Sequence, residues 1–104
     1  MGDFRYPQFC PFARATEILG QRWTILILRE LLGGSARFSE LRDGLPGIAS
    51  NLLAERLQRL VADGIVRQLH GHSTAQYALT EQGAGIRTAI EELGFWGASL
   101  ERVA

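Results

Sequence analysis

Lysine is absent from this 104-residue chain, cysteine occurs once, and no apolar run is long. With Cys10 alone, no intrachain disulfide can form. The longest apolar run, Ile25–Leu28, falls far short of the ~20 residues a membrane-spanning helix needs. No basic-then-apolar start reads as a signal peptide, so the expectation is a soluble, cytoplasmic protein without a membrane partner. Net charge is also lacking, because eleven basic residues balance eleven acidic ones. Such neutrality is not what the overall basicity of nucleic-acid binders leads one to expect. Repeats, low-complexity tracts and linkers are missing, which leaves one domain over 1–104. Catalytic groupings are missing too. There is no Ser/His/Asp or Cys/His set, no Gly-rich phosphate loop and no paired carboxylates, so neither an enzyme nor a cofactor is expected.

What is present is an ordinary core-forming composition. Hydrophobic residues make up 46% and charged residues 21%, which argues for one modest core and against general disorder. Charge is unevenly spread. Residues 1–36 carry four arginines against three acids, residues 37–67 five against four, and residues 80–104 two against four. The first two thirds is thus slightly basic and the last stretch acidic, a faint footprint for a DNA face. All the basic residues are arginine, whose planar fork suits phosphate oxygens and the guanine edge. Codon bias in a GC-rich genome produces the same preference.

Glycine and proline punctuate periodic segments. The first nine residues include Phe4, Tyr6 and Phe9, an arm apolar enough to dock on a partner subunit. Pro11 starts a short helix, Ala13 to Leu19, which Gly20 ends. A second helix is expected from about Trp23 to Leu32; it is apolar on most sides and therefore central. Residues 35–38 suffice only for an edge strand. Ser39 reads as the N-cap of a short helix, Glu40 to Asp43. After a turn at 44–47, an amphipathic helix runs from about Ser50 to Asp63. Leu53, Leu57, Leu60 and Val61 form its apolar stripe, and Gly64 sits at C′. Ile65–His70 and Ala75–Leu79 make a hairpin, and Thr80 caps a last helix. The expected class is α+β, mostly α. It is a winged helix-turn-helix over 37–64, a two-stranded β-hairpin wing over 65–79 and a C-terminal dimerisation helix.

Four stretches carry a resemblance. CPFARATEILGQRWTILILRELLGG, residues 10–34, looks like the N-terminal half of HxlR-type regulators, a MarR-like winged-helix family. RFSELRDGLPGI, residues 37–48, resembles their helix-turn-helix entry, and LLAERLQRLVADGIV, residues 52–66, their recognition helix and following strand. YALTEQG, residues 77–83, matches their wing exit. The resemblance covers about residues 10–97. It implies a homodimeric transcriptional regulator that binds a pseudo-palindromic operator in double-stranded DNA. It also implies dimer contacts from residues 1–12 and 81–103. Some relatives respond to electrophiles or oxidants through a cysteine just before the first helix, where Cys10 stands here. Two departures stand out. Ala49 replaces a Ser that often caps the recognition helix, leaving that end to Ser50 or Gly47. The wing also lacks the Pro-Pro-Arg run of many relatives.

A recognition helix reads base edges from its exposed N-terminal half. The helical wheel puts Asn51, Glu55 and Arg59 opposite the apolar stripe, with Leu52 and Arg56 flanking them. With Ser50, these are the candidate base contacts. Asn suits adenine, Arg suits guanine or phosphate, and Leu52 suits a thymine methyl. Glu55, Arg59 and Asp63 equally fit a solvent-facing ion-pair ladder. Arg37, Ser39 and Arg42 are candidate phosphate contacts, joined by Arg67 at the base of the wing. His70, His72, Ser73 and Thr74 make up the wing tip. Two alternating histidines with no further ligand nearby do not make a metal site, and phosphate is the better partner for them. In the last helix, Ile90, Leu93, Trp96 and Leu100 belong to a wide apolar stripe that one small domain cannot cover. With Phe4, Tyr6 and Phe9 they are the candidate dimer interface. Gly94 and Gly97 suggest a bend or a close approach. Cys10 is the candidate redox sensor: it stands at a helix start, with Arg14 one turn on. Free cysteine is as often a small buried hydrophobe. The competing function is a winged-helix module that binds protein, favoured by neutrality and the short, uncharged wing. Any small-molecule effector is unknown from sequence.

Overall fold

Leucine and isoleucine at helical spacing supply most of the core of this molecule. The structure is a computed structural model and describes residues 10–70 and 75–100. Its elements in order are α1 (Pro11–Leu19), α2 (Thr24–Leu31), β1 (Ala36–Arg37), α3 (Phe38–Gly44) and α4 (Ser50–Ala62). There follow β2 (Val66–His70), β3 (Ala75–Leu79), α5 (Glu81–Ala84) and α6 (Arg87–Ser99).

The core gathers Ile27, Leu28 and Leu31 of α2, Leu41 of α3, and Leu53, Leu57 and Leu60 of α4. Leu45 and Ile48 from the α3–α4 turn and Val66 of β2 complete it. Each fully buried leucine contributes roughly 1.5–3 kcal/mol relative to exposure. Helix α2 is central, as its sequence requires. The three antiparallel strands run in the order β1-β3-β2. Tyr77 pairs with Ala36 on one side and Gln68 on the other. The wing hairpin is therefore braced by a third, two-residue edge strand at the entry of the helix-turn-helix.

Two caps differ from expectation. The N-cap of α3 is Arg37, not Ser39, and the helix begins at Phe38. The Arg37 N–H donates to Glu40 Oε1 at 2.8 Å, so the carboxylate reaches back over the first turn. Arginine has no side-chain acceptor, so only this half of a capping box forms. The N-cap of α4 is Ala49, with no side-chain cap bond; neither Ser50 nor Gly47 serves that end. The first bond of α4 is from Leu53 N–H to the Ala49 carbonyl at 2.9 Å.

The last helix is not continuous. Thr80 caps as expected, its Oγ1 accepting from Gly83 N–H at 3.0 Å. But α5 ends after one turn, and α6 starts at Arg87. Gly83 and Gly85 lower helix propensity there, and Gly83 is buried against the Ile65 carbonyl. Thr80 ties the same place from the other side: its hydroxyl lies 2.7 Å from the Gly64 carbonyl and 3.1 Å from that of Ile65. The exit of the wing is thus pinned to the end of α4. Gly64 itself takes the left-handed φ of 77° expected of a C′ glycine. Helix α6 runs through Gly94 and Gly97 unbroken, and a Cβ at either would meet nothing within 4 Å. The helix is not broken at either glycine, and no close approach among the described residues requires them.

Candidate nucleic-acid interface

Helix α4 buries one face completely and presents another. Leu53, Leu57 and Leu60 point inward, while Ser50, Asn51, Glu55 and Arg59 are exposed and Leu52 is half-buried. A helix anchored by a leucine stripe presents its outer residues at fixed angles, as a groove reader must. Arg59 sits 3.4 Å from Asp63 at i, i+4, the ion pair that the spacing also predicts. A pair this exposed is worth little, so it does not withhold the guanidinium from another partner.

Arg56 differs from its neighbours. Its side chain is only 16% exposed, against 64% for Arg59. Arg56 Nε donates to the carbonyl of Arg22 at 2.9 Å, and Nη1 lies 3.2 Å from Glu55 Oε1. Sequence reasoning missed this bond. The helical wheel places Arg56 on the flank but says nothing of what the α1–α2 turn presents there.

That turn contains Trp23, whose φ of 78° is the one positive value for a non-glycine residue among those described. Left-handed backbone at a bulky residue costs about 1–3 kcal/mol and persists only where its surroundings impose it. Here the ring packs onto the core, and the Arg22 guanidinium carbon lies 5.6 Å from the ring centroid.

On the helix before the turn, Arg37 at the N-cap, Ser39 in the first turn and Arg42 in the last turn of α3 are all exposed. Arg37 lies 3.7 Å from Glu40. On the wing, Arg67 and His70 are exposed on β2, opposite Ala78 and Ala75 of β3. His72, Ser73 and Thr74 lie outside the described residues, as do Phe4, Tyr6 and Phe9. No cluster of three or more metal-ligating side chains occurs among the described residues. None of their helices is long and apolar enough to cross a membrane.

Cys10 is the N-cap of α1. Its Sγ accepts from Ala13 N–H at 3.4 Å, and the residue is half-buried beside Pro11 at the first helical position. Sulfur is a weak acceptor, so the contact is a modest cap. On α1, Phe12 is 76% exposed. The last helix is more exposed than a core element should be: Phe95 and Trp96 are 72% and 63% exposed, and Leu93 and Leu100 are exposed as well. Ile90, assigned with them to a dimer face, packs instead on the subunit's own core. The reason is that the first turn of α6 lies over α2, where Arg87 Nη2 donates to the Leu32 carbonyl at 3.1 Å.

The HxlR-like helix-turn-helix family model matches residues 18–103. This chain belongs to the HxlR-like family. The family is one of transcriptional regulators, not enzymes. Among its relatives, the HTH-type transcriptional regulator YvaP of Bacillus subtilis is 37% identical over 93 residues, 86% of each chain. The regulator YodB, also of B. subtilis, has a crystal structure with quinone bound. It superposes with a TM-score of 0.77 at 33% identity, covering 88% of this chain and all of that one. A MarR-family regulator from Porphyromonas gingivalis superposes at TM-score 0.87, covering 95% of this chain and all of that one. At 24% identity, that match speaks to the winged-helix fold alone. The HxlR-like chain is therefore a helix-turn-helix transcriptional regulator built on a MarR-like fold.

Proposed function

We propose that this HxlR-like chain is a sequence-specific DNA-binding regulator that engages a pseudo-palindromic operator as a homodimer. The observation that carries the reading is the outer face of α4. Asn51, Glu55 and Arg59 stand exposed in one row opposite leucines buried to within 1%, and Ser50 is exposed at the first turn of the helix. Asn51 serves adenine, Arg59 guanine or phosphate, and Leu52 a thymine methyl. Arg37, Ser39 and Arg42 flank the row and hold the backbone, with Arg67 and His70 reaching it from the wing. The exposed apolar side chains of α6, with Phe12 of α1, supply the apolar surface that a second copy covers. The open space over Gly94 and Gly97 admits a close helix. Dimerisation would set two α4 helices about one DNA turn apart, ~34–36 Å.

The division of roles is testable by substitution. Asn51→Ala is expected to cost ~1–3 kcal/mol, confined to one operator position. Arg42→Ala should weaken every duplex alike and lower the salt slope by about one. Anisotropy titrations against single-position duplex variants read both effects. A uniform loss from both substitutions contradicts the assignment. Loss of neither, with no binding at low salt, favours the protein-binding module instead.

Cys10 supplies the regulatory input in this reading. The thiol caps α1, two residues from the exposed Phe12, so oxidation or addition of an electrophile such as a quinone removes the cap and adds bulk beside an apolar side chain that a second copy would cover. Cys10→Ser keeps a side-chain acceptor at the N-cap. The untreated variant should therefore bind DNA like wild type, while a quinone or oxidant weakens binding only in wild type. Equal loss in both proteins excludes the thiol as the sensor.

A further inference from the structure

We infer that Arg56 is a positioning residue, a latch that holds the recognition helix to the α1–α2 turn. The inference rests on the reading of α4 as the DNA-contacting helix. An arginine that reads a groove must be free to extend into it, and Arg59, 64% exposed, is. Arg56 lies back across α4 toward α1 and gives its Nε–H to the Arg22 carbonyl, 34 residues earlier in the chain.

The acceptor explains the arrangement. The Arg22 carbonyl belongs to the peptide linking Arg22 to Trp23, and the left-handed φ at Trp23 sets the plane of that peptide. Trp23 is the N-cap of α2 and has no side-chain cap bond of its own. A strained peptide persists where neighbours hold it, and Arg56 is the neighbour that binds its oxygen. From the same turn the Trp23 ring reaches the α3–α4 turn: a Cβ on Gly47 would lie 4.0 Å from Trp23 Cη2. Gly47 has a φ of 96°, so that turn is itself built for one conformation. The α1–α2 turn thus holds α4 itself through Arg56 and lies beside the turn that leads into α4 through Trp23. A hold on the helix and a neighbour at its approach together bear on its direction as well as its distance. Arg56 therefore determines specificity without touching a base. Its loss tilts the row of Asn51, Glu55 and Arg59, and Ser50 with it.

Two variants test this. Arg56→Met keeps the apolar stem and removes every donor. Arg56→Lys returns a donor and the charge. In the DNA-free protein, Arg56→Met should shift the Trp23 indole N–H signal in the NMR spectrum and speed amide exchange at residues 21–24. Affinity for a duplex enriched from a random pool should fall about tenfold, the worth of one hydrogen bond from a charged group. The loss should be equal across single-position variants, with non-specific affinity and salt slope unchanged. Arg56→Lys should bring the Trp23 signal and the affinity part-way back. An unmoved Trp23 signal overturns the latch. So does a loss confined to one base pair, or a salt slope lowered by about one, because these mark a base or phosphate contact. If Arg56→Met does not fold, Arg56→Lys against wild type decides by the same signal. Wild type without sequence preference would overturn the DNA reading instead, and the DNA-free spectrum would still judge the latch.

Discussion

Gly83→Ala is expected to destabilise the fold by about 3 kcal/mol, the upper part of the range for forcing a methyl into packed structure. Gly83 is buried in α5, and a Cβ there would overlap the carbonyl oxygen of Ile65. That carbonyl cannot yield easily, because it already accepts from Thr80 N–H at 3.0 Å. Thr80 in turn joins the wing to α5 through its hydroxyl. Backbone would have to move on both sides of the junction, which drags the end of α4 and the base of the wing with it. Urea unfolding at fixed protein concentration checks this: the midpoint falls while the slope is kept. A change below about 0.5 kcal/mol, the size of an ordinary surface substitution, contradicts the packing described.

Trp96→Asp is expected to yield a folded monomer that binds operator on the order of 100-fold more weakly. Trp96 contributes nothing to the core of its own subunit, so the fold should survive. A charge at the centre of the Leu93, Trp96 and Leu100 stripe must be desolvated to form an interface, and no arginine of the described α6 beyond Arg87 is there to pair with it. Once the subunits part, the second half-site is bound from solution rather than from a tethered partner. Losses of ~10²–10⁴ follow from that change alone. Light scattering with chromatography reads the mass, and anisotropy reads the affinity. Wild type running as a monomer, or a variant still dimeric and fully active, would remove α6 from the interface.

Much of the fold was legible because the periodic signals are strong. The leucine stripe of α4 and the turn signals around β2 and β3 depend on local spacing; α2, α4 and both hairpin strands lie within a residue of their expected bounds, while α1 and α3 start two residues early and the last helix is split. The class of outward residue on α4 followed from the same wheel. What was not legible depended on long-range contacts or on backbone. The N-cap of α3 moved to Arg37 because Glu40 reaches back, an interaction that a serine-first reading of caps overlooks. The break after α5 comes from a glycine pressed on a carbonyl eighteen positions earlier, and no periodicity records that. Ile90 looked like interface because it shares a stripe with Leu93 and Trp96, but α6 crosses its own core only at its start. The Arg56 bond joins residues with no local relation, and the left-handed Trp23 beside it has no composition signature.

Selection of bound sequences from a random pool of DNA duplexes tests the central claim most directly. The account predicts enrichment of one motif with two-fold symmetry, its half-sites about one helical turn apart, ~34–36 Å. A pool that emerges unchanged, or enrichment of a single site without symmetry, would contradict a homodimer that reads sequence with two copies of α4.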